Sequence, residues 1–137
     1  MADQPSAAAK VRAFPAPAVN LESQPFFDAA SEGRFLVKRC TACGKAHWYP
    51  RAICPFCFSA ETVWADSPGE GVIYAFSVMR RSPTGPYAIG YVTLDEGPAV
   101  LTNFVDCDLD GLRIGQRVKV RFAPTDGGPP IPVFAPI

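Results

Sequence analysis

The stretch RCTACGKAHWYPRAICPFCFSA, residues 39–60, decides the fold of this chain. It contains two Cys-x-x-Cys pairs, Cys40 with Cys43 and Cys54 with Cys57, and ten residues separate the pairs. Two residues between thiolates allow one tight turn to present both sulfurs to a single ion, and a second pair completes a tetrahedron. The spacing therefore predicts a metal site with these four cysteines as its ligands.

The ion held by these cysteines is expected to be structural zinc. Four thiolates leave no coordination position open, and no other redox element accompanies the site, which favours zinc over the iron of rubredoxin-type sites. Disulfides are disfavoured, because the N-terminus lacks an apolar leader after a basic start and a reducing compartment is expected. Gly44 suits the positive φ that often ends such a turn, whereas Phe58 in the matching place predicts a slightly different second turn.

The composition narrows the classes of function. The 137 residues include 13 basic and 13 acidic side chains, and a net charge of zero disfavours a general polyanion binder. Fifteen prolines and eleven glycines favour turns and short strands over long helices. No apolar run approaches the ~20 residues that span a bilayer, so we expect a soluble, cytoplasmic protein without membrane contact.

The C-terminal half reads as repeated strands separated by Gly-rich turns. Five short strands with a break after the third favour a mainly β fold with a five-stranded OB-fold barrel, and an SH3-like barrel or a small sandwich is the alternative. One helical turn is expected within Asp108–Gly115, between the third and fourth strands. The five predicted strands are Gly71–Arg81, Tyr87–Asp95, Ala99–Asp106, Arg117–Phe122 and Ile131–Phe134.

A short helix is predicted near residues 24–32, before the cysteines. Ser23 is a candidate N-terminal cap, Pro25 fits the first turn, and Gly33 suits the left-handed residue after the helix. Residues 1–20 are rich in Ala and Pro and are expected to form a mobile arm, with contact of Val11 and Phe14 with a partner as the alternative. The predicted organisation is a flexible arm over 1–20, a short helix over 21–34, a zinc ribbon over 35–66 and an OB-fold barrel over 67–137.

Candidate catalytic residues are sparse. His47, the only histidine, has no nucleophile beside it in the sequence, so we expect a satisfied or exposed side chain rather than a general base. The acidic pair Asp95-Glu96 lies in a Gly-containing turn, where carboxylates are commonly solvated or capping. Cys107 has no cysteine nearby and is expected to be a buried small hydrophobe. The sequence therefore predicts no catalytic residue.

Two groups of basic residues stand out. The strand period places three cations of the fourth predicted strand on one face, which is either a solvated outer face or a site for an anion such as a phosphate. With two arginines at the end of the first predicted strand, they make up the barrel cations: Arg80, Arg81, Arg117, Lys119 and Arg121. The second group has no acid among its members and surrounds the first cysteine pair: Arg34, Lys38, Arg39, Lys45 and Arg51.

The order of these features is informative in itself. Its elements are Pro25-Phe26, Gly33-Arg34, Cys40-Thr-Ala-Cys43-Gly44, Pro50-Arg51, Cys54-Pro55, Gly71-Val-Ile-Tyr-Ala-Phe, Leu101-Thr-Asn-Phe, Arg113-Ile-Gly and Pro132-Val-Phe. This order resembles the family catalogued as domain of unknown function thirty-five, a rubredoxin-like zinc ribbon joined to an OB fold. The resemblance extends over the chain after the N-terminal arm.

The resemblance implies a function. Members of that family look like non-catalytic companions of thiolase-fold enzymes that act on acyl-CoA, including thiolases, hydroxymethylglutaryl-CoA synthase and related aldolases. It implies that this chain is an accessory subunit, with structural zinc and with coenzyme A or acyl-CoA as a candidate ligand whose phosphates the barrel cations would contact. The alternatives are a single-stranded nucleic-acid module that stacks bases on Tyr74, Phe76 and Phe104, and a rubredoxin-like electron carrier.

Overall fold

The computed structural model describes residues 13–137 of the chain. The part of the predicted arm that covers residues 1–12, including the contact suggested for Val11, lies outside the described residues. In the described part, no helix has both the length and the apolar character needed to cross a membrane.

The predicted helix is present as α1, Gln24–Ser31, with Pro25 in its first turn and Gly33 at a φ of +78° after its end. Ser23 occupies the N-cap position, but its side chain makes no capping hydrogen bond. Its hydroxyl accepts from the backbone N–H of Asn20 at 3.1 Å and also contacts the Asn20 Oδ1 at 3.2 Å. The prediction of a Ser23 side-chain cap is therefore wrong, because the hydroxyl is hydrogen-bonded to Asn20 instead.

Three antiparallel strands form the ribbon that carries the cysteines. They are β2 at Phe35–Cys40, β3 at Ala46–His47 and β4 at Thr62–Ser67, and their order in the sheet is β3-β2-β4. Strand β2 lies in the centre and is buried over its first three residues. Because β2 ends at Cys40, the central strand of the ribbon leads directly into the first cysteine pair.

The five predicted C-terminal strands form a closed barrel. These strands are β5 at Glu70–Met79, β6 at Tyr87–Leu94, β7 at Ala99–Phe104, β8 at Arg117–Asp126 and β9 at Gly128–Pro136. Their order is β8-β5-β6-β7-β9, β8 also pairs with β9, and one parallel pair between Phe104 and Phe134 joins β7 to β9. The predicted helical turn is a 3-10 turn at Leu109–Gly111 between β7 and β8.

The segment before α1 packs against the barrel. Strand β1, Phe14–Pro15, pairs in parallel with the end of β8, and Phe14 is buried against Val105, Ala123 and Val133. For these two residues the expectation of a loose arm is wrong, because the Phe14 ring gains a place in an apolar cluster. Phe14 is a packed residue of this chain rather than an exposed contact for a partner.

Ribbon, helix and barrel share one core. The ring centroids of Phe26 and Phe35 lie 5.8 Å apart, Phe26 and Trp48 are 4.8 Å apart, and Phe35 and Phe134 are 6.1 Å apart. Phe35 belongs to the ribbon and Phe134 to the barrel, so these edge-to-face contacts fix one part on the other. The cysteine pairs are thereby held in a defined position relative to the barrel.

Candidate metal centre

The four cysteine sulfurs converge on one point. The Sγ atoms of Cys40 and Cys57 are 3.6 Å apart, those of Cys43 and Cys54 are 3.7 Å apart, and all four lie within 4.8 Å of one another. A tetrahedral site with metal–sulfur bonds of ~2.3 Å has sulfur–sulfur edges of ~3.8 Å. The sulfurs are therefore positioned to hold one metal ion with little rearrangement, and four sulfurs fill its tetrahedral shell.

The two turns that carry the cysteines are built alike. The Gly44 N–H donates to the Cys40 carbonyl at 2.8 Å, and the Phe58 N–H donates to the Cys54 carbonyl at 2.9 Å. Gly44 has a φ of +79° and Phe58 a φ of +64°. The expectation that Phe58 changes the shape of the second turn is wrong, because Phe58 adopts the left-handed conformation that glycine adopts in the first.

Backbone N–H groups point at two of the sulfurs, and at Cys54 they favour the thiolate form. The Cys43 N–H lies 3.5 Å from the Cys40 Sγ, and the Phe56 N–H lies 3.4 Å from the Cys54 Sγ. Burial alone would raise the pKa of Cys54, but backbone N–H groups and neighbouring thiols lower that pKa to about 7. The first thiolate of the set therefore forms near neutral pH, as metal binding requires.

His47 lies between the cysteine pairs on β3, opposite Lys38 on β2. It is only 2% exposed, and neither ring nitrogen has a hydrogen-bond partner of ordinary geometry among the described residues. The expectation of a satisfied or exposed histidine is therefore wrong, because the ring is buried and its nitrogens lack such a partner. Burial lowers the pKa of His47, the charges of Lys38 and Arg51 lower it further, and the backbone of Arg51 partly opposes these effects, so the neutral ring is favoured.

The barrel cations do not converge on one site. Arg117 makes a bidentate pair with Asp95, at 2.7 and 3.0 Å, and contacts Glu70 at 3.3 Å, near the start of β5. Arg80 follows the other end of β5 and pairs with Asp110 at 2.8 Å. The remaining ion pair joins Arg121 to Asp106 at 3.0 Å. Only two barrel cations form no ion pair among the residues that the structure describes: Arg81 and Lys119.

The aromatic residues suggested for base stacking are mostly unavailable. Phe104 is buried in the core, and Phe76 packs against it from a half-buried position. Tyr74 is exposed at the irregular register between Ile73 and Ala75. Of the three suggested rings only Tyr74 is exposed, although Tyr91 on β6 is exposed as well, so the nucleic-acid alternative stays a prediction. Cys107 is half-buried against the core, and burial raises its thiol pKa.

Comparison with known proteins connects this geometry to a family. The description "ChsH2, rubredoxin-like zinc ribbon domain" matches residues 27–63, and "ChsH2, C-terminal OB-fold domain" matches residues 64–123. A "DUF35 domain-containing scaffold protein" of Methanothermobacter thermautotrophicus is 34% identical over 91 residues, which are 61% of this chain and 68% of that protein. The chain belongs to the DUF35 family. The resemblance seen in the sequence and the prediction of a zinc ribbon followed by an OB-fold barrel are confirmed.

Other matches extend the family assignment over most of the chain. The solved structure described as "Ltp2-ChsH2(DUF35) aldolase" contains a chain that is 31% identical, with a TM-score of 0.77 and coverage of 88% of this chain and 98% of that one. A "Probable enoyl-CoA hydratase alpha subunit" of Thermomonospora curvata is 32% identical over 126 residues. This DUF35 chain spans only 40% of the Thermomonospora protein. A DUF35 structure from Sulfolobus solfataricus, 14% identical with a TM-score of 0.60, shares the fold.

Proposed function

We propose that this DUF35 chain is a cytoplasmic, non-catalytic scaffold subunit of a thiolase-fold enzyme that acts on acyl-CoA. The observation that carries the proposal is the closed set of four sulfurs, which would leave a bound metal ion no open coordination position for a substrate. Support comes from the match over 98% of a DUF35 chain whose structure is described as an aldolase, and from a relative named as a hydratase subunit. The reaction itself belongs to the partner.

The metal in this proposal is zinc, bound by Cys40, Cys43, Cys54 and Cys57. The sulfur–sulfur distances fit a tetrahedral thiolate site, and backbone N–H groups favour the thiolate of Cys54. Zinc with four sulfurs supplies a cross-link between the two turns rather than Lewis-acid chemistry. A red, iron-containing purified protein would instead favour the electron carrier.

The test of the scaffold proposal is reconstitution with a defined partner. The chain would be co-expressed with a thiolase-fold acyl-CoA enzyme of the same organism and purified through a tag on the DUF35 chain. A complex of fixed stoichiometry on a sizing column, with the acyl-CoA reaction present only when the thiolase-fold subunit is intact, is the expected result. Separate elution of the two proteins at micromolar concentration would overturn the proposal.

Contact of coenzyme A with the barrel cations stays a prediction. Arg81 and Lys119 are the two members without an ion pair in the described part of the chain, so they are free to meet a phosphate. The double substitution Arg81→Glu and Lys119→Glu should weaken coenzyme A binding to the complex, measured by calorimetry. Unchanged binding would assign the phosphates to the partner alone.

A further inference from the structure

An exposed apolar surface lies beside the second cysteine pair. Two shallow cavities, of about 420 and 310 Å³, meet at Glu22, whose carboxylate accepts a hydrogen bond from the Ala52 N–H at 2.7 Å. Cys54 lines the larger cavity, so the metal site sets the shape of this surface. The surface, called the ribbon face below, carries four apolar side chains: Leu21, Tyr49, Ile53 and Phe58.

Two of these side chains are hardly buried by the rest of the chain. Leu21 is 95% exposed and Phe58 is 78% exposed. Phe58 also holds a φ of +64°, a backbone conformation that a bulky residue adopts at a cost in free energy. Single exposed apolar residues are ordinary on protein surfaces, but a contiguous apolar surface is typical of an interaction site.

The charges around the ribbon face differ from those on the barrel. Arg34 pairs with Glu32 and Asp66 at 3.0 and 2.9 Å, but no acid occurs in the sequence from 34 to 60. Four further cations of the ribbon, called the ribbon cations below, form no ion pair with any described residue: Lys38, Arg39, Lys45 and Arg51. Three of the barrel cations, by contrast, are paired.

The metal accounts for part of this excess of positive charge. Zinc with four thiolates carries a net charge of about −2, which nearby cations offset. Arg39 and Lys45 lie together beside Gly44 at the first cysteine pair and suit that role. Lys38 and Arg51 instead border the two cavities of the ribbon face, with Lys38 over the ring of Trp64 at 4.4 Å. The ribbon face therefore carries apolar side chains around one carboxylate, that of Glu22, and two cations, Lys38 and Arg51, at its rim.

We propose that the ribbon face is the docking surface for the enzyme subunit, and that the contacting surface of that subunit is apolar with acidic residues at its rim. This inference rests on the proposed scaffold function and names the surface that performs it. Complementary charge at the rim speeds and orients association, while the buried apolar side chains supply affinity. Aliphatic Leu21 and Ile53 cannot stack on bases, so the face fits a protein better than a nucleic acid.

The experiment measures the affinity of the purified zinc-loaded chain for the purified thiolase-fold subunit. Leu21→Ala and Phe58→Gly should each weaken binding about tenfold, while the matched exposed leucine on the barrel, Leu101→Ala, should leave it unchanged. Phe58→Gly also separates docking from local structure, because glycine suits the turn and should keep zinc bound. Charge reversal, Lys38→Glu with Arg51→Glu, should weaken binding and flatten its dependence on salt.

The possible outcomes separate the inference from the proposed function. If the thiolase-fold subunit binds all variants like the wild type, or loses affinity only with Leu101→Ala, the ribbon face is not the docking surface and the scaffold function stands. If the subunit does not bind the wild-type chain, both fail. Tight, salt-sensitive binding of oligo-dT to the wild-type chain, lost on reversal of Lys38 and Arg51, would replace the protein partner with single-stranded nucleic acid.

Discussion

Replacing Cys57 with serine tests the metal centre most directly. The Cys57 Sγ lies 3.6 Å from the Cys40 Sγ, close to the ~3.8 Å edge of a zinc–thiolate tetrahedron, so this edge of the site already suits zinc. Structural zinc sites bind with roughly 10–16 kcal/mol, and a quarter of that is about 2.5–4 kcal/mol. Zinc affinity should therefore fall by about 10²–10³-fold in Cys57→Ser.

The assay is competition for zinc against a chromophoric chelator, with metal content measured on the same samples. Cys107→Ser is the matched control, because Cys107 is half-buried against the core and is not one of the four clustered sulfurs. Zinc affinity in Cys57→Ser equal to that of the wild type would refute the four-sulfur site. Loss of zinc in Cys107→Ser would do so equally, since it would place a ligand elsewhere.

Three further predictions concern two glycine positions, the pH dependence of stability and one surface ion pair. Gly44→Ala should lower the unfolding free energy by about 1 kcal/mol, because the new Cβ meets no atom within 4 Å but alanine is forced to a φ of +79°. Gly90→Ala should lower it by at least about 3 kcal/mol, measured by calorimetry, because its Cβ would clash with the Ala75 carbonyl oxygen. Equal melting temperatures for the two variants would contradict the barrel packing. Burial lowers the pKa of His47 below 6.5, so the stability that comes from its neutral form is complete above that pH and is lost as the pH falls. In urea unfolding, His47→Phe should therefore reduce the loss of unfolding free energy between neutral and acidic pH. An identical pH dependence in both proteins would show that His47 does not cause this loss. Asp95→Asn breaks the pair with Arg117, but both groups are exposed, so unfolding free energy should change by less than about 1 kcal/mol, and a larger loss would indicate a role beyond a surface ion pair.

Local sequence pattern predicted most of the fold. Alternating apolar residues and Gly-rich turns are short-range signals, and all five barrel strands and α1 are found where those signals place them. Strand β4, Thr62–Ser67, was missed because its burial is only partial and its one partner is β2, 20 or more residues away. Strand β1 was missed because two residues carry no periodicity, and only contact with Val105, Ala123 and Val133 buries Phe14.

The candidate site divides in the same way. Four cysteines at fixed spacing are legible in the sequence, because the chemistry of a metal ligand demands that residue type. The pairing of Arg117 with Glu70, 47 positions apart, depends on the packing of β5 against β8 and has no local signal. The exposure of Leu21 was equally hidden, since a leucine before a helix is commonly a packed residue.

The edge-to-face stack of Phe26, Phe35 and Phe134 means that the boundary between the two matched segments, near residue 63, is not a seam in the molecule. A cut there would separate the barrel from two aromatic rings and expose apolar surface on both pieces. We therefore expect one melting transition for the metal-loaded chain, and removal of the ion should destabilise the barrel as well as the ribbon. Ribbon and barrel form one cooperative unit that folds and unfolds together.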